Sequence, residues 1–381
     1  MTAHPTIGLV LTGGGARGAY QAGVLKAIAE RRGPGRPTPF GAATGRLWEL
    51  WGRLRMRDVF VTSPVALSRT GLRLALELGL GALVRGRRSN HLLDTAPLRA
   101  LLEANLDTRA IALRLADGTL EALAITATSY DTGMAVTFFD GARDFAPWVR
   151  SARISVRSAL TVSHVMASSA LPVFFPPERV AGTCYGDGCI RLTTPLSAAI
   201  HLGADRVLAI GVRHLRRPEA ARKLHEACRR TSEPPLAQIG GVLLNAVFLD
   251  ALETDLERAV RINATVAQIP ESQRAGQALR LLPLCAIRPS RDLGTVVPDL
   301  LDAFPLSVRH LLRGVGASRD LGADLLSYLA FDQRYTERLL ELGYQDGRAN
   351  AAALDALLSP EVPPPGVQGA GRERAGQGMA L

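Results

Sequence analysis

Two short stretches of the sequence bring together residue types able to hold an anion and move a proton. In Gly13-Gly14-Gly15-Ala16-Arg17-Gly18, three consecutive glycines follow the apolar run Ile7-Gly8-Leu9-Val10-Leu11-Thr12. Glycine frees the backbone to turn sharply and aim N–H groups at a bound phosphate, or at the oxyanion of an acyl-transfer intermediate. In Tyr185-Gly186-Asp187-Gly188-Cys189, a carboxylate sits between two glycines, after Pro176-Pro177 and before Leu192-Thr193-Thr194-Pro195. Alone it is an ordinary turn aspartate. Paired with a glycine loop that holds an oxyanion, it becomes a candidate general base.

The glycine loop admits several ligands, and the sequence narrows them. A P-loop needs Lys and Ser or Thr after its last glycine, and Gly18 is followed by Ala19-Tyr20. Gly13, Gly15 and Gly18 satisfy GxGxxG, which keeps a nucleotide-binding protein as one alternative. That fold also wants an acid after a second strand for the ribose hydroxyls, and residues 31–48 hold no Asp or Glu. His164, among Val162, Val165 and Met166, reads as a core or surface histidine. Cys184, Cys189, Cys228 and Cys285 lack the spacing of a disulfide framework or a zinc site and read as free thiols. No cofactor and no metal are expected.

Positioning these groups requires a strand–turn–helix opening. Ile7 to Thr12 reads as a buried strand; Tyr20, Val24 and Ile28, with Leu25, form one face of a helix. Helices are expected over Leu47–Arg57 and Leu92–Ala104, the latter capped at Ser89 or Asn90, and over Ser158–Ala170 up to Pro172. Strands are expected over Glu121–Ser129, Ala135–Phe139 and Arg206–Val212, the first two joined by a turn at Asp131-Thr132-Gly133. Strands alternating with helices imply an α/β fold with a mostly parallel sheet covered on both faces. Beyond residue 214 the pattern turns helical, over Glu219–Arg230, Leu236–Val260 and Leu321–Leu342, the last broken near Asp332 and closed by Gly343. From Ser359 the chain is rich in Pro and Gly, without apolar period, and is expected to be disordered.

The chain has 381 residues and a formal net charge of +10, and all but two of its 45 basic residues, Lys26 and Lys223, are arginine. Such lopsided usage can reflect a GC-rich genome; the functional reading is a basic surface that attracts anionic lipid, nucleic acid or acidic partners. Aromatics make up 5% and do not interleave with the arginines, which argues against nucleic-acid binding. With no secretory signal and no uninterrupted apolar run of membrane-spanning length, a cytoplasmic protein is expected, with possible peripheral contact at an anionic membrane.

Several segments together resemble the patatin-like phospholipases: GLVLTGGGARGAYQAGVLKAI (8–28), LDTAPLRALLEANL (93–106), LAITATSYDTG (123–133), VMASSALPVFFPP (165–177) and YGDGCIRLTTPLSAAIHLGADRVLAIGV (185–212). LLSYLAFDQRYTERLLELGYQDG (325–347) resembles the C-terminal part of longer bacterial members. The resemblance implies a three-layer α/β/α core over residues 1–213, a helical C-terminal region over 214–358 and a tail over 359–381. It also implies ester hydrolysis of lipids by a Ser-Asp dyad. By position, Gly13, Gly14, Gly15, Arg17 and Gly18 would form the oxyanion hole, and Asp187, flanked by Gly186 and Gly188, the base. Cys189 stands where the family usually has Gly or Ala.

The nucleophile departs from the pattern. The family carries it in a G-x-S-x-G elbow after a second strand, and no serine here has Gly two places before and two after. Gly41-Ala42-Ala43-Thr44-Gly45 is the nearest match and places Ala43, a methyl group, at the nucleophile position. Thr44 is one place out of phase. Ser63 and Ser68 lack a glycine turn, and Ser168 and Ser169 read as a structural helix end. The second strand and elbow are therefore expected to be missing. The expected function is that of a lipid acyl hydrolase relative with impaired or absent hydrolysis, the alternatives being a lipid-binding pseudoenzyme or a decayed gene product.

Overall fold

The computed structural model describes residues 5–32, 38–66, 68, 69, 71–73, 90–215, 218–227, 235–248, 250–274, 279–298, 300–314, 323–359, 367 and 368. The fold is α/β. Its first strand, β1 (Ile7–Leu11), runs through the glycine loop into helix α1 (Gly18–Arg32). Helices α2 (Pro39–Arg53), α3 (Met56–Val59), α4 (Ala96–Asn105) and α5 (Thr108–Ala116) follow. Next come β2 (Ala122–Ser129), β3 (Ala135–Gly141), β4 (Val149–Arg150), β5 (Arg153–Arg157), α6 (Val162–Ser168), β6 (Glu178–Val180), β7 (Thr183–Asp187), α7 (Leu196–His201) and β8 (Arg206–Ile210).

The remainder holds α8 (Pro218–Ala227), α9 (Leu236–Phe248), α10 (Asp250–Ala267), α11 (Glu271–Arg274), β9 (Leu284–Ile287), α12 (Leu306–Gly314), α13 (Ala323–Leu329), α14 (Gln333–Ala349), α15 (Ala351–Leu358) and β10 (Val367–Gln368). The strands form two sheets. One is parallel, in the order β1-β8-β9-β10; the other is mixed, in the order β4-β5-β3-β2-β7-β6.

β8 is buried along its whole length: Val207–Ile210 is an unbroken apolar run, as a strand covered on both faces requires, and the Arg206 guanidinium donates to the carbonyls of Leu357 and Ser359. It pairs with β1 in register Ile7↔Arg206 to Leu11↔Ile210, and with β9 on its other side. The mostly helical stretch beyond residue 214 thus also supplies a strand, β9, to the sheet of β1 and β8. In the mixed sheet, β2 pairs antiparallel with β3 along nearly its whole length but with β7 only over Ala127–Ser129. Among the described residues β1 therefore has a strand neighbour on one side only, and so has the Ala122–Thr126 half of β2. Leu9 and Leu11 of β1 stay 43% and 47% exposed, unusual for apolar residues on a strand between the two sheets.

Several helix limits differ from the sequence expectation. α2 begins at Pro39, eight residues before Leu47: Thr38 caps it by accepting the Gly41 N–H at 3.0 Å, and proline suits the first helical position. α4 begins at Ala96, where Asp94 Oδ1 accepts the Ala96 N–H; Asn90 lies before it in the loop and Ser89 outside the described residues. α6 starts only at Val162, because Thr161 and His164 form its cap. Leu236–Val260 is two helices, α9 and α10, and residues 228–230 of the expected Glu219–Arg230 helix lie outside the described residues. Of the tail, Val367–Gln368 pairs with β9, and 360–366 and 369–381 lie outside the described residues.

Gly343 does not close a helix. It sits inside α14, where α14 crosses α1, and a Cβ on it would overlap the Tyr20 carbonyl oxygen. Gly23 of α1 meets the Leu340 carbonyl in the same way. Two helix backbones approach this closely only where the side chains between them are absent. Gly343→Ala is expected to destabilise the fold by about 3 kcal/mol. Gly240→Ala, on α9 with open space around the position, should be neutral or slightly stabilising. Equal thermal melting of the two variants would contradict this crossing.

Candidate active site

The glycine loop is held from behind. Arg17 is 2% exposed and points away from the loop into α13. Its Nε donates to Ser327 Oγ at 2.9 Å, its Nη2 to Asp324 Oδ1 at 3.0 Å, and its guanidinium lies 4.4 Å from the Tyr328 ring centroid. Gly15 has φ +56°, and a Cβ on it would overlap the Tyr328 carbonyl oxygen. Gln21, buried on α1, donates from Nε2 to the carbonyls of Thr12 (3.0 Å) and Ile210 (2.8 Å), tying the loop to the end of β8. Arg17 therefore positions the loop, and so does Gln21, which sequence reasoning passed over because one glutamine on a helix carries no local signal. Gly18 begins α1 and packs against Trp51.

Asp187 ends β7 and opens a 3-10 turn over Gly188–Ile190. Its backbone N–H donates to the Ala170 carbonyl at 3.0 Å, and its carbonyl accepts from Thr128 Oγ1 at 2.8 Å. The carboxylate accepts the Cys189 N–H at 2.9 Å and has no ion-pair partner among the described residues. Burial pushes its pKa up from the ordinary 3.8 to about 7, against the lowering effect of the Cys189 hydrogen bonds. Gly188 cannot carry a side chain, because its Cβ would overlap the Thr126 carbonyl. Tyr130 covers Gly186, and burial together with the Asp187 charge raises its phenol. Cys189 joins the two motifs: its thiol lies beside both the Asp187 carboxylate and the Gly13 N–H, and burial and Asp187 raise it well above the usual thiol range.

Both motifs border one cavity of about 800 Å³. Its walls are β1 with Thr12 and Gly13, the Ala122–Thr126 half of β2, and Gly188 with Cys189, closed by α7, Val247 of α9 and Leu252 of α10. It lies between the two strand edges that have no strand neighbour, and most of its lining is apolar. The buried Thr12 hydroxyl finds no hydrogen-bond partner among the described residues.

The sequence profile of the patatin-like phospholipases matches residues 39–200. Over that span the chain is similar to the patatin-like phospholipases. No curated protein matches the chain. The patatin-like span runs from α2 to α7 and includes Asp187; the glycine loop lies ahead of it. Within it, the Gly41–Gly45 pentapeptide is the start of helix α2, not a strand-to-helix elbow, and Ala43 is exposed outside the cavity. Thr44 is buried, its hydroxyl donating to the Gly41 carbonyl at 3.1 Å.

Ser63 and Ser68 are exposed and do not line the cavity. Ser169 donates to the Val165 carbonyl at 2.6 Å, as a helix-end serine does. Ser168, read with it as structural, instead borders the cavity and is the one serine in the lining. His164 is a core residue: it is buried, caps α6 through Nδ1 and meets Phe138 edge-on at 4.5 Å, and burial lowers its pKa. Among the described residues, Cys184, Cys189 and Cys285 are free and no cluster of His, Cys, Asp and Glu suits a metal ion; Cys228 lies outside them. No helix there is long and apolar enough to cross a membrane.

Proposed function

We propose that this patatin-like protein binds lipid acyl groups in the cavity between β1 and β2 and that serine-based ester hydrolysis is crippled in it. In this reading the glycine loop and Asp187 are the retained halves of the family's site, an oxyanion hole and a general base, and the elbow serine is missing together with its strand. One observation carries the proposal: the two strand edges without a neighbour face an apolar cavity of about 800 Å³, at the place where a further strand would close the sheet. That volume lies within the usual range for sites that enclose a small-molecule ligand. Removal of the serine nucleophile from a serine protease costs about a million-fold in kcat, so what remains supports binding far better than turnover.

Fluorophosphonate labelling of the folded protein, with a p-nitrophenyl acyl ester assay and Asp187→Ala beside it, tests this reading. The expected result is no label, no turnover and saturable binding of a fluorescent fatty acid. Labelling with turnover that depends on Asp187 would overturn it. Ser168→Ala and Cys189→Ala would then locate the nucleophile, since these two side chains border the cavity.

A further inference from the structure

Helix α9 (Leu236–Phe248) contains no charged residue. Its inner face packs on α13, on α10 and on the Gly188–Ile190 turn. On that face Gly241 lies against Asp324, and Asn245 accepts a hydrogen bond from Tyr328 Oη at 3.3 Å. The outer face holds Leu236, Ile239, Val242 and Leu243, exposed by 71%, 43%, 61% and 61%. At 3.6 residues per turn these four share an arc of about 120°. Scattered apolar residues are normal on a protein surface, but an uncharged helix with a continuous apolar outer stripe marks an interaction site.

We propose that this stripe docks the protein on the surface of an anionic lipid bilayer, with α9 lying along it. Two features favour a bilayer over a protein partner. The first is charge: the sequence from 213 to 230, directly ahead of α9, holds seven basic and two acidic residues. Of these, Arg222 and Lys223 on α8 are exposed. A basic segment beside an apolar interfacial helix is the pairing that anionic lipid attracts. The second is continuity: toward its C-terminal end the same helix supplies Val247 to the cavity, and its inner face rests on the turn that carries Cys189. The same helix thus carries the exposed stripe and borders the cavity. The proposal rests on the reading of that cavity as an acyl site.

Sedimentation with vesicles tests it on the full chain, using phosphatidylcholine alone and phosphatidylcholine with about a third phosphatidylglycerol. The wild type is expected to partition onto the anionic vesicles and to come off as salt rises. V242E/L243E, at exposed positions that a helix tolerates, should lower that partition at least about tenfold while the far-ultraviolet spectrum and Tm stay unchanged. R222E/K223E should weaken binding to the anionic vesicles only. Equal binding by V242E/L243E and wild type would overturn the proposal, as would no binding by the wild type. A concentration-dependent dimer abolished by V242E/L243E, without vesicle binding, would assign the stripe to a second copy instead. Titration of cis-parinaric acid without vesicles reports the cavity separately: V242E/L243E should match the wild type. No binding by either would fail the acyl-site reading whatever the vesicles show.

Discussion

Insertion of an apolar strand and a Gly-x-Ser-x-Gly turn between Arg32 and Thr38 is expected to create p-nitrophenyl ester hydrolysis at least about a thousand-fold above that of the unmodified chain. The expectation follows from the open edges of β1 and of Ala122–Thr126 in β2, which leave room for a strand between them, and from the Asp187 turn and Gly13 already beside the cavity. The site of insertion matters. Residues 39–53 are one helix capped by Thr38, so the segment belongs ahead of that cap and not between Phe40 and Leu47, where it would break α2. The same insertion with alanine for serine separates structure from chemistry. It should raise Tm by closing the sheet and leave the esterase rate at background. If the serine form folds and stays inactive, the retained half-site is not competent.

Asp187→Asn is expected to stabilise the protein markedly at pH 8 and little at pH 5. The folded state raises the Asp187 pKa from 3.8 to about 7, so it holds this proton more tightly than the unfolded chain does. For an acid raised in this way, stability falls as pH climbs from about 4 through about 7, and the full cost applies above that window. At about 1.4 kcal/mol per pKa unit the cost at pH 8 is roughly 4.5 kcal/mol, against about 1.7 kcal/mol at pH 5. The amide keeps an oxygen for the Cys189 N–H and removes the buried charge, which should raise Tm by roughly 4 °C at pH 8. A Tm difference that does not change between pH 5 and pH 8 would show that Asp187 titrates normally.

The parts of this site that the sequence made legible are those whose demands are local. The apolar run Val207–Ile210 declares β8 a buried strand wherever its neighbours come from, and the glycine clusters around positions 13 and 187 declare turns, although what crowds Gly15 and Gly188, the carbonyls of Tyr328 and Thr126, comes from distant chain. What escaped was set by distant chain. Gly343 looks like a helix terminator until α1 is laid across it, and Gln21 looks like any helical glutamine until the carbonyls of Thr12 and Ile210 come within its reach. The start of α2 was masked by the neighbouring Pro and Gly residues, although Thr38-Pro39 is itself a helix-start signal. Ser168 read as a helix end, and it is one; that it also borders the cavity depends on β1 and β2.

The pairing of β1 with β8 and β9 sets a timetable for synthesis. β1 leaves the ribosome long before its partner, which begins at residue 206, and the next strand of that sheet begins at residue 284. At roughly 5 to 20 residues per second, β1 waits about 10 to 40 s for its first ladder hydrogen bonds. Over that interval a short apolar strand ending in Leu9-Val10-Leu11 has both edges bare, a template for pairing with another nascent chain. Once β8 arrives, β1 has a partner on one edge only among the described residues. Production of this chain should therefore depend on holdase chaperones and slow translation, and the soluble yield should respond to both more strongly than to later changes in folding conditions.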